Sequence, residues 1–130
     1  MEEARVRGLN GVQLAFVGDT IYDLYARTQV LEAHDGCVRE LHRRAVAHVN
    51  ARAQAQAFAA VEPLLTEEEA DVARRGRNAH SRPPKNQDPG DYARATALEA
   101  LCGYLFLMGR KERLDELMRV IREQEGEDNV

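Results

Sequence analysis

No stretch of this chain is apolar for long enough to cross a bilayer, and its first residues carry no signal-peptide pattern. A cytoplasmic protein with no membrane partner is therefore expected. Cysteine is scarce. Cys37 and Cys102 lack the spacing of a metal site, so both read as reduced thiols, with Cys102 in the core. No run alternates apolar and polar residues over a useful length, and no internal repeat is found, which excludes a sheet-based or solenoid fold. A phosphate-loop glycine pattern is also missing, which argues against nucleotide hydrolysis. His34-Asp35 resembles half of a metal-dependent phosphohydrolase site, but no histidine precedes it, and beside Gly36 it reads as a turn. His42 and His48 are poorly separated for a shared metal on one helix, and Ser81 has no evident base partner. Positive charge is not in excess either. The 22 acids outnumber the 18 Lys and Arg, giving a net charge of −4. That total alone does not point to nucleic acid.

What remains is an all-α pattern. The 130 residues suit one domain spanning 1–130, and the 31% of charged residues suit helices with wet outer faces. Asn10 is a cap for a first long helix to about Leu31, with Leu14, Val17, Ile21 and Leu24 on its core face. Cys37 to Val49 reads as a second helix, using Val38, Leu41, Ala45 and Val49. Asn50 caps an alanine-rich third that Pro63 ends or bends. Thr66-Glu67-Glu68-Glu69 is a capping box for a helix that fades near Gly76. A proline-bearing loop leads to a helix starting near Asp91 and ending at Gly109. Arg110 to about Glu123 forms the last, with Leu114, Leu117 and Ile121 inward, and 124–130 is an acidic tail expected to fray.

Two carboxylates sit where a core-building helix should not put them. Asp19 lies inside Phe16-Val17-Gly18-Asp19-Thr20-Ile21-Tyr22, and Glu99 inside Leu98-Glu99-Ala100-Leu101-Cys102-Gly103-Tyr104. The helical neighbours of Glu99 are Ala95, Thr96, Cys102 and Gly103, all small enough to leave room beside it. A desolvated carboxylate is costly without a compensating partner. A divalent cation between the two helices supplies one, and oxygen ligands suit magnesium. Salt bridges to arginines are the plainer alternative.

Charge is concentrated between Arg74 and Lys85. The stretch from Arg74 to Asn86 holds five Lys or Arg, one His and no acid. An anionic polymer has a footing there despite the negative total. Asn78, Ser81 and Asn86 add groups suited to phosphate and sugar oxygens. The plainer reading is a solvated loop whose arginines pair with Glu67 to Glu69.

These motifs together resemble the ribonuclease III family. Gln13-Leu14-Ala15-Phe16-Val17-Gly18-Asp19 is similar to the signature helix of its catalytic domain, and Leu98-Glu99-Ala100-Leu101-Cys102-Gly103-Tyr104-Leu105 to its second acidic helix. The nearest pattern is that of the short Mini-ribonuclease III form, a catalytic domain without a double-stranded-RNA-binding domain. Leu41-His42-Arg43-Arg44-Ala45-Val46, Ala53-Gln54-Ala55, Arg74-Arg75-Gly76-Arg77-Asn78-Ala79 and Pro84-Lys85-Asn86 match it further, over roughly Leu9 to Leu117. The chain departs from full-length ribonuclease III at Val12, Ala15, Thr96 and Gln56, which stand where that enzyme carries acids. Asp19 and Glu99 alone carry over as ligands.

The resemblance implies a helical, dimer-forming ribonuclease III catalytic domain. It implies a Mg2+-dependent endoribonuclease that cuts double-stranded RNA to 5′-phosphate and 3′-hydroxyl ends. It implies a role in maturing the large-subunit (23S) ribosomal RNA precursor. Asp19 and Glu99 are the implied catalytic metal ligands. Asp23, one turn beyond Asp19, is a second-tier candidate to orient ligand waters or to pair with a nearby cation, and an exposed helix acid paired with Arg27 at i+4 is the equal alternative. Arg74, Arg75, Arg77, Asn78, His80, Lys85 and Asn86 are the expected RNA contacts. The expected partners are duplex RNA and a second copy of the chain in a homodimer, with a ribosomal protein as a further candidate. Phe16 and Tyr22 are candidate dimer contacts, and Gly18 is expected to allow close approach at the two-fold axis. The alternatives are a non-catalytic module that binds double-stranded RNA or assists ribosome assembly, and a helical dimerisation module.

Overall fold

The computed structural model describes residues 1–79 and 82–126. Seven α-helices run through them, and no strand occurs among the described residues. They are α1 (Glu3–Gly8), α2 (Gly11–Ala33), α3 (Val38–Val46), α4 (Ala51–Val61), α5 (Glu67–Arg77), α6 (Pro89–Leu107) and α7 (Lys111–Glu125). A single 3-10 turn at Glu62–Leu64 carries Pro63 between α4 and α5.

Local sequence sets the helix starts. Asn10 Oδ1 accepts from the Gln13 backbone N–H at 2.8 Å, and Gln13 Oε1 accepts from that of Asn10 at 2.9 Å, so α2 opens with a reciprocal box. Thr66 and Glu69 close the same box at α5, as their spacing predicts. Asp88, with Pro89 in the first helical position, starts α6 slightly earlier than the sequence indicates.

The core is built around α6. Ten of its residues, from Ala95 through Leu105, are buried on all sides of the helix. Helices α2, α4 and α5 pack directly on it. Helix α7 closes the base through Leu114, Leu117 and Ile121, the face its periodicity predicts. A helix apolar all round is a core helix, so a charged residue in its middle needs a reason.

The structure departs from the sequence pattern in three places. Helix α1 has no counterpart in that pattern, yet its Val6 is completely buried. Periodicity assigns Leu24 and Val38 to core faces, but both point outward, at 59% and 81% exposure. The inward face of α2 is Leu14, Ala15, Gly18, Ile21 and Tyr22, which includes two small residues that a hydrophobicity pattern undervalues. Finally, Gly18 serves a contact inside the chain. A Cβ on Gly18 would lie 1.6 Å from the Glu99 carbonyl oxygen, and one on Gly103 would lie 2.1 Å from the Leu14 carbonyl oxygen. The backbones of α2 and α6 therefore touch, with glycines facing each other across the contact. Tyr22 is likewise buried within the chain, while Phe16 is 81% exposed.

Candidate active site

The glycine contact decides where the two carboxylates go. Asp19 follows Gly18 on α2, and Glu99 sits on α6 at the carbonyl that Gly18 meets. The two side chains come within hydrogen-bonding reach of each other. Asp19 is on the exposed side of this contact and Glu99 is set back from solvent. Burial pushes the Glu99 carboxyl up from its ordinary 4.5 to about 7. A hydrogen bond from Gln54 works against that rise, and the neighbouring Asp19 adds to it. Burial also raises the Tyr22 hydroxyl, with Glu125, Cys102 and Glu99 adding to the shift, and the Cys102 thiol is raised by burial and by Glu99. Both groups stay protonated at neutral pH.

Sequence reasoning missed Gln54. Its Nε2 donates to Glu99 Oε2 at 3.2 Å, and the residue is only 5% exposed. It shares the buried face of α4 with Ala57, Phe58 and Val61. A lone amide on that otherwise apolar face was the available signal. Gln56, which the sequence aligns with the family's middle acid, is exposed and lines a cleft with His48, Ala53 and Glu125 instead. Thr96 is buried, and its hydroxyl is committed to the Tyr92 carbonyl of its own helix at 2.8 Å. Val12 is half-exposed and Ala15 is buried, so neither adds chemistry. Asp23 is bound by Arg27, Nε to Oδ2 at 2.9 Å, the ion-pair arrangement its i+4 spacing allows.

The donor set fits a hard divalent cation. Two carboxylates in mutual contact repel when both are ionised, and a cation between them removes that cost. No cluster of three or more His, Cys, Asp or Glu is found among the described residues. Asp19 and Glu99 are the two carboxylates that this contact offers to a divalent cation.

The basic segment occupies the end of α5 and the loop after it. Arg74 pairs with Asp71 at 3.0 Å and Arg77 approaches Glu62 at 4.0 Å, both largely exposed, and neither reaches the acids at the start of α5. Arg75 differs. Its Nη1 donates to the Leu9 carbonyl at 2.9 Å, tying α5 to the entry of α2. Asn78 ends α5. Lys85 and Asn86 are exposed in a turn closed by the Gln87 backbone N–H on the Pro84 carbonyl at 3.2 Å. Asn86 there has φ 82, the left-handed conformation that asparagine tolerates best among ordinary residues. His80 and Ser81 lie outside the described residues. Gly11, at the start of α2, packs against the Arg75 carbonyl. The arginine end of α5 therefore lies about 12 Å along α2 from Asp19, at 1.5 Å per residue.

The Ribonuclease III domain family matches residues 12–110. The chain belongs to the ribonuclease III family. Curated relatives narrow the branch. A Mini-ribonuclease 3 from Symbiobacterium thermophilum is 47% identical over 107 residues, covering 82% of each chain. One from Enterococcus faecalis is 46% identical over 125 residues, covering 93% of this chain and 94% of that one. A crystal structure of a Fusobacterium nucleatum protein superposes with a TM-score of 0.83 at 28% identity, over 92% of this chain and 97% of that one. This member of the Mini-ribonuclease 3 branch is an all-helical endoribonuclease. The matched span holds Asp19, Gln54, the whole basic segment and Glu99. No helix among the described residues is long and apolar enough to cross a membrane.

Proposed function

We propose that the chain cuts double-stranded RNA with magnesium held between Asp19 and Glu99, leaving 5′-phosphate and 3′-hydroxyl ends. The observation that carries this reading is the meeting of the two carboxylates at the exposed edge of the α2–α6 contact, in a chain of an endoribonuclease family. When bound, the metal supplies Lewis acidity, acidifying a water and withdrawing charge from the scissile phosphate. The chain's own groups place the reaction. Asp19 is the exposed member of the pair, Glu99 is set back from solvent, and the glycine contact fixes the spacing between the helices that carry them. By resemblance, the natural substrate is the 23S ribosomal RNA precursor, read by shape through phosphates and 2′-hydroxyls.

A homodimer, one subunit per strand, fits the outer face of the molecule. Val12, Phe16, Leu24 and Leu31 form an exposed apolar stripe along α2. Beside it, Ile21, Leu24, Tyr25, Phe106 and Leu114 line a largely apolar groove of about 420 Å³. Such a stripe is costly in water and suits a self-complementary interface. The deciding assay is labelled duplex RNA with purified protein, in magnesium or in chelator. Magnesium-dependent cutting that spares single strands supports the reading, and binding without cutting replaces it with an RNA-binding module.

The proton on Glu99 sets an expected pH dependence. Between pH 4.5 and about 7 the folded chain keeps a proton on Glu99 that the unfolded chain has released. Metal-free stability should therefore fall as pH rises through that window. Magnesium should restore it at pH 7 and above. Its affinity should drop by on the order of tenfold per pH unit below 7, where protons compete. Thermal melts across pH 5 to 8, with and without magnesium, check both signs. A melting temperature that rises over this range without metal would count against the placement of Glu99.

A second expected result concerns Arg74, Arg77 and Lys85, which are exposed and carry no structural duty to the core helices. Changing all three to Gln should weaken duplex binding and lower the salt slope by about one for each phosphate that is no longer neutralised. Arg75 is left in place because it holds the Leu9 carbonyl. An unchanged affinity and slope would reduce the segment to a solvated connector.

A further inference from the structure

We propose that Gln54 is a positioning residue for the metal site, holding Glu99 so that one carboxylate oxygen is presented to the cation. The inference rests on the reading of Asp19 and Glu99 as cation ligands and adds a third residue to the site. Glu99 Oε2 accepts from Gln54 Nε2 at 3.2 Å, so one of its two oxygens is already committed before any cation arrives. Its second oxygen takes no part in that bond, and the Asp19 carboxylate is the other side chain within hydrogen-bonding reach of the group. Without the bond, a carboxylate repelled by Asp19 rotates away from it, and the pair loses the geometry that two ligands must share.

The choice of an amide has a physical basis. An arginine or lysine at this place would neutralise the pair and compete with the cation. A further carboxylate would add repulsion in a half-buried setting. A glutamine donates a directed hydrogen bond and adds no charge. Its own burial is costly unless it is paired, so the amide and Glu99 each need the other. Its mount is rigid. Asn50 caps α4 by accepting from the Ala53 backbone N–H at 2.9 Å, α4 packs on α6, and Ala57 and Phe58 are buried one turn beyond Gln54. Hydrogen-bonded partners that orient ligands in this way typically carry roughly 10- to 100-fold in metal affinity or activity.

The test compares the parent protein with Gln54→Met, which keeps the length of the side chain and removes the donor. Magnesium binding is measured by calorimetry without RNA, and kcat and KM are measured on a duplex. The expected result is about a 10- to 100-fold loss in magnesium affinity and in kcat, with KM for the duplex unchanged. A folded Gln54→Met protein with parental affinity and kcat overturns the proposal. If that variant does not fold, the parent decides by NMR. The Gln54 side-chain amide resonances should move as magnesium is added, with the affinity found by calorimetry, and resonances that stay still overturn the proposal. A parent that binds no magnesium, and so matches Asp19→Asn in calorimetry, overturns the carboxylate site itself and the Gln54 proposal with it. That outcome is distinct from a parent that binds metal as well as Gln54→Met does.

Discussion

Asp19→Asn and Glu99→Gln are each expected to lower duplex cleavage by at least about 10³-fold while leaving the fold intact. The size of the effect follows from the economy of the site. The proposed site has two protein ligands, and with no larger acidic cluster among the described residues neither carboxylate has a substitute. Structural damage is not expected. Glutamine at position 99 keeps an oxygen that can accept from Gln54 Nε2, so the buried amide remains paired. Asparagine at position 19 removes one of two like charges in contact. Both variants should therefore melt at or above the parent's temperature when magnesium is absent, and should lose the stabilisation that magnesium gives the parent. Loss of activity joined to higher metal-free stability is the signature of a functional carboxylate pair. Near-parental cleavage in either variant, or a melting temperature well below the parent's, would sink the assignment.

Much of this site was legible in the sequence because its parts are local. A carboxylate next to a glycine inside an apolar helix, and another with small residues a turn away on each side, are both visible in one dimension. The cap at Asn10, the box at Thr66 and the core face of α7 were legible for the same reason. What was hidden depends on which helix lies against which. Leu24 continues the apolar periodicity of α2, yet the groove beside Gly18 is filled by the backbone of α6, so the core side of α2 is rotated toward its small residues. The sequence pattern points to Gln56 as the stand-in for the family's middle acid, whereas the seating of α4 on α6 brings Gln54 to Glu99. The basic segment was recognisable as charge, but the separate duty of Arg75 to the Leu9 carbonyl connects residues far apart in the chain.

Gly18→Ala and Gly103→Ala should be the most damaging small substitutions in the molecule, and they should fail in a particular way. The added methyl meets carbonyl oxygens, at 1.6 Å from Glu99 and 2.1 Å from Leu14, and backbone cannot swing aside as a long side chain can. Relief requires the two helices to separate. Overpacking of this kind costs roughly 3 kcal/mol or more, a large share of the roughly 5–15 kcal/mol typical of a domain. The separation also acts on chemistry, because Asp19 rides on one side of the contact and Glu99 on the other. A displacement of about 1 Å between groups that act together lowers rates by on the order of 10²-fold. Protein that remains folded should therefore cut slowly and bind magnesium weakly, although every side chain that touches metal or RNA is unchanged. Gly8→Ala is the matched control, since nothing lies within 4 Å of its added methyl. Urea melts and single-turnover cleavage of the three variants test the argument. Parental stability in Gly18→Ala would mean that α2 and α6 are not in backbone contact, and parental cleavage in a destabilised Gly18→Ala would mean that the contact does not set the distance between the two carboxylates.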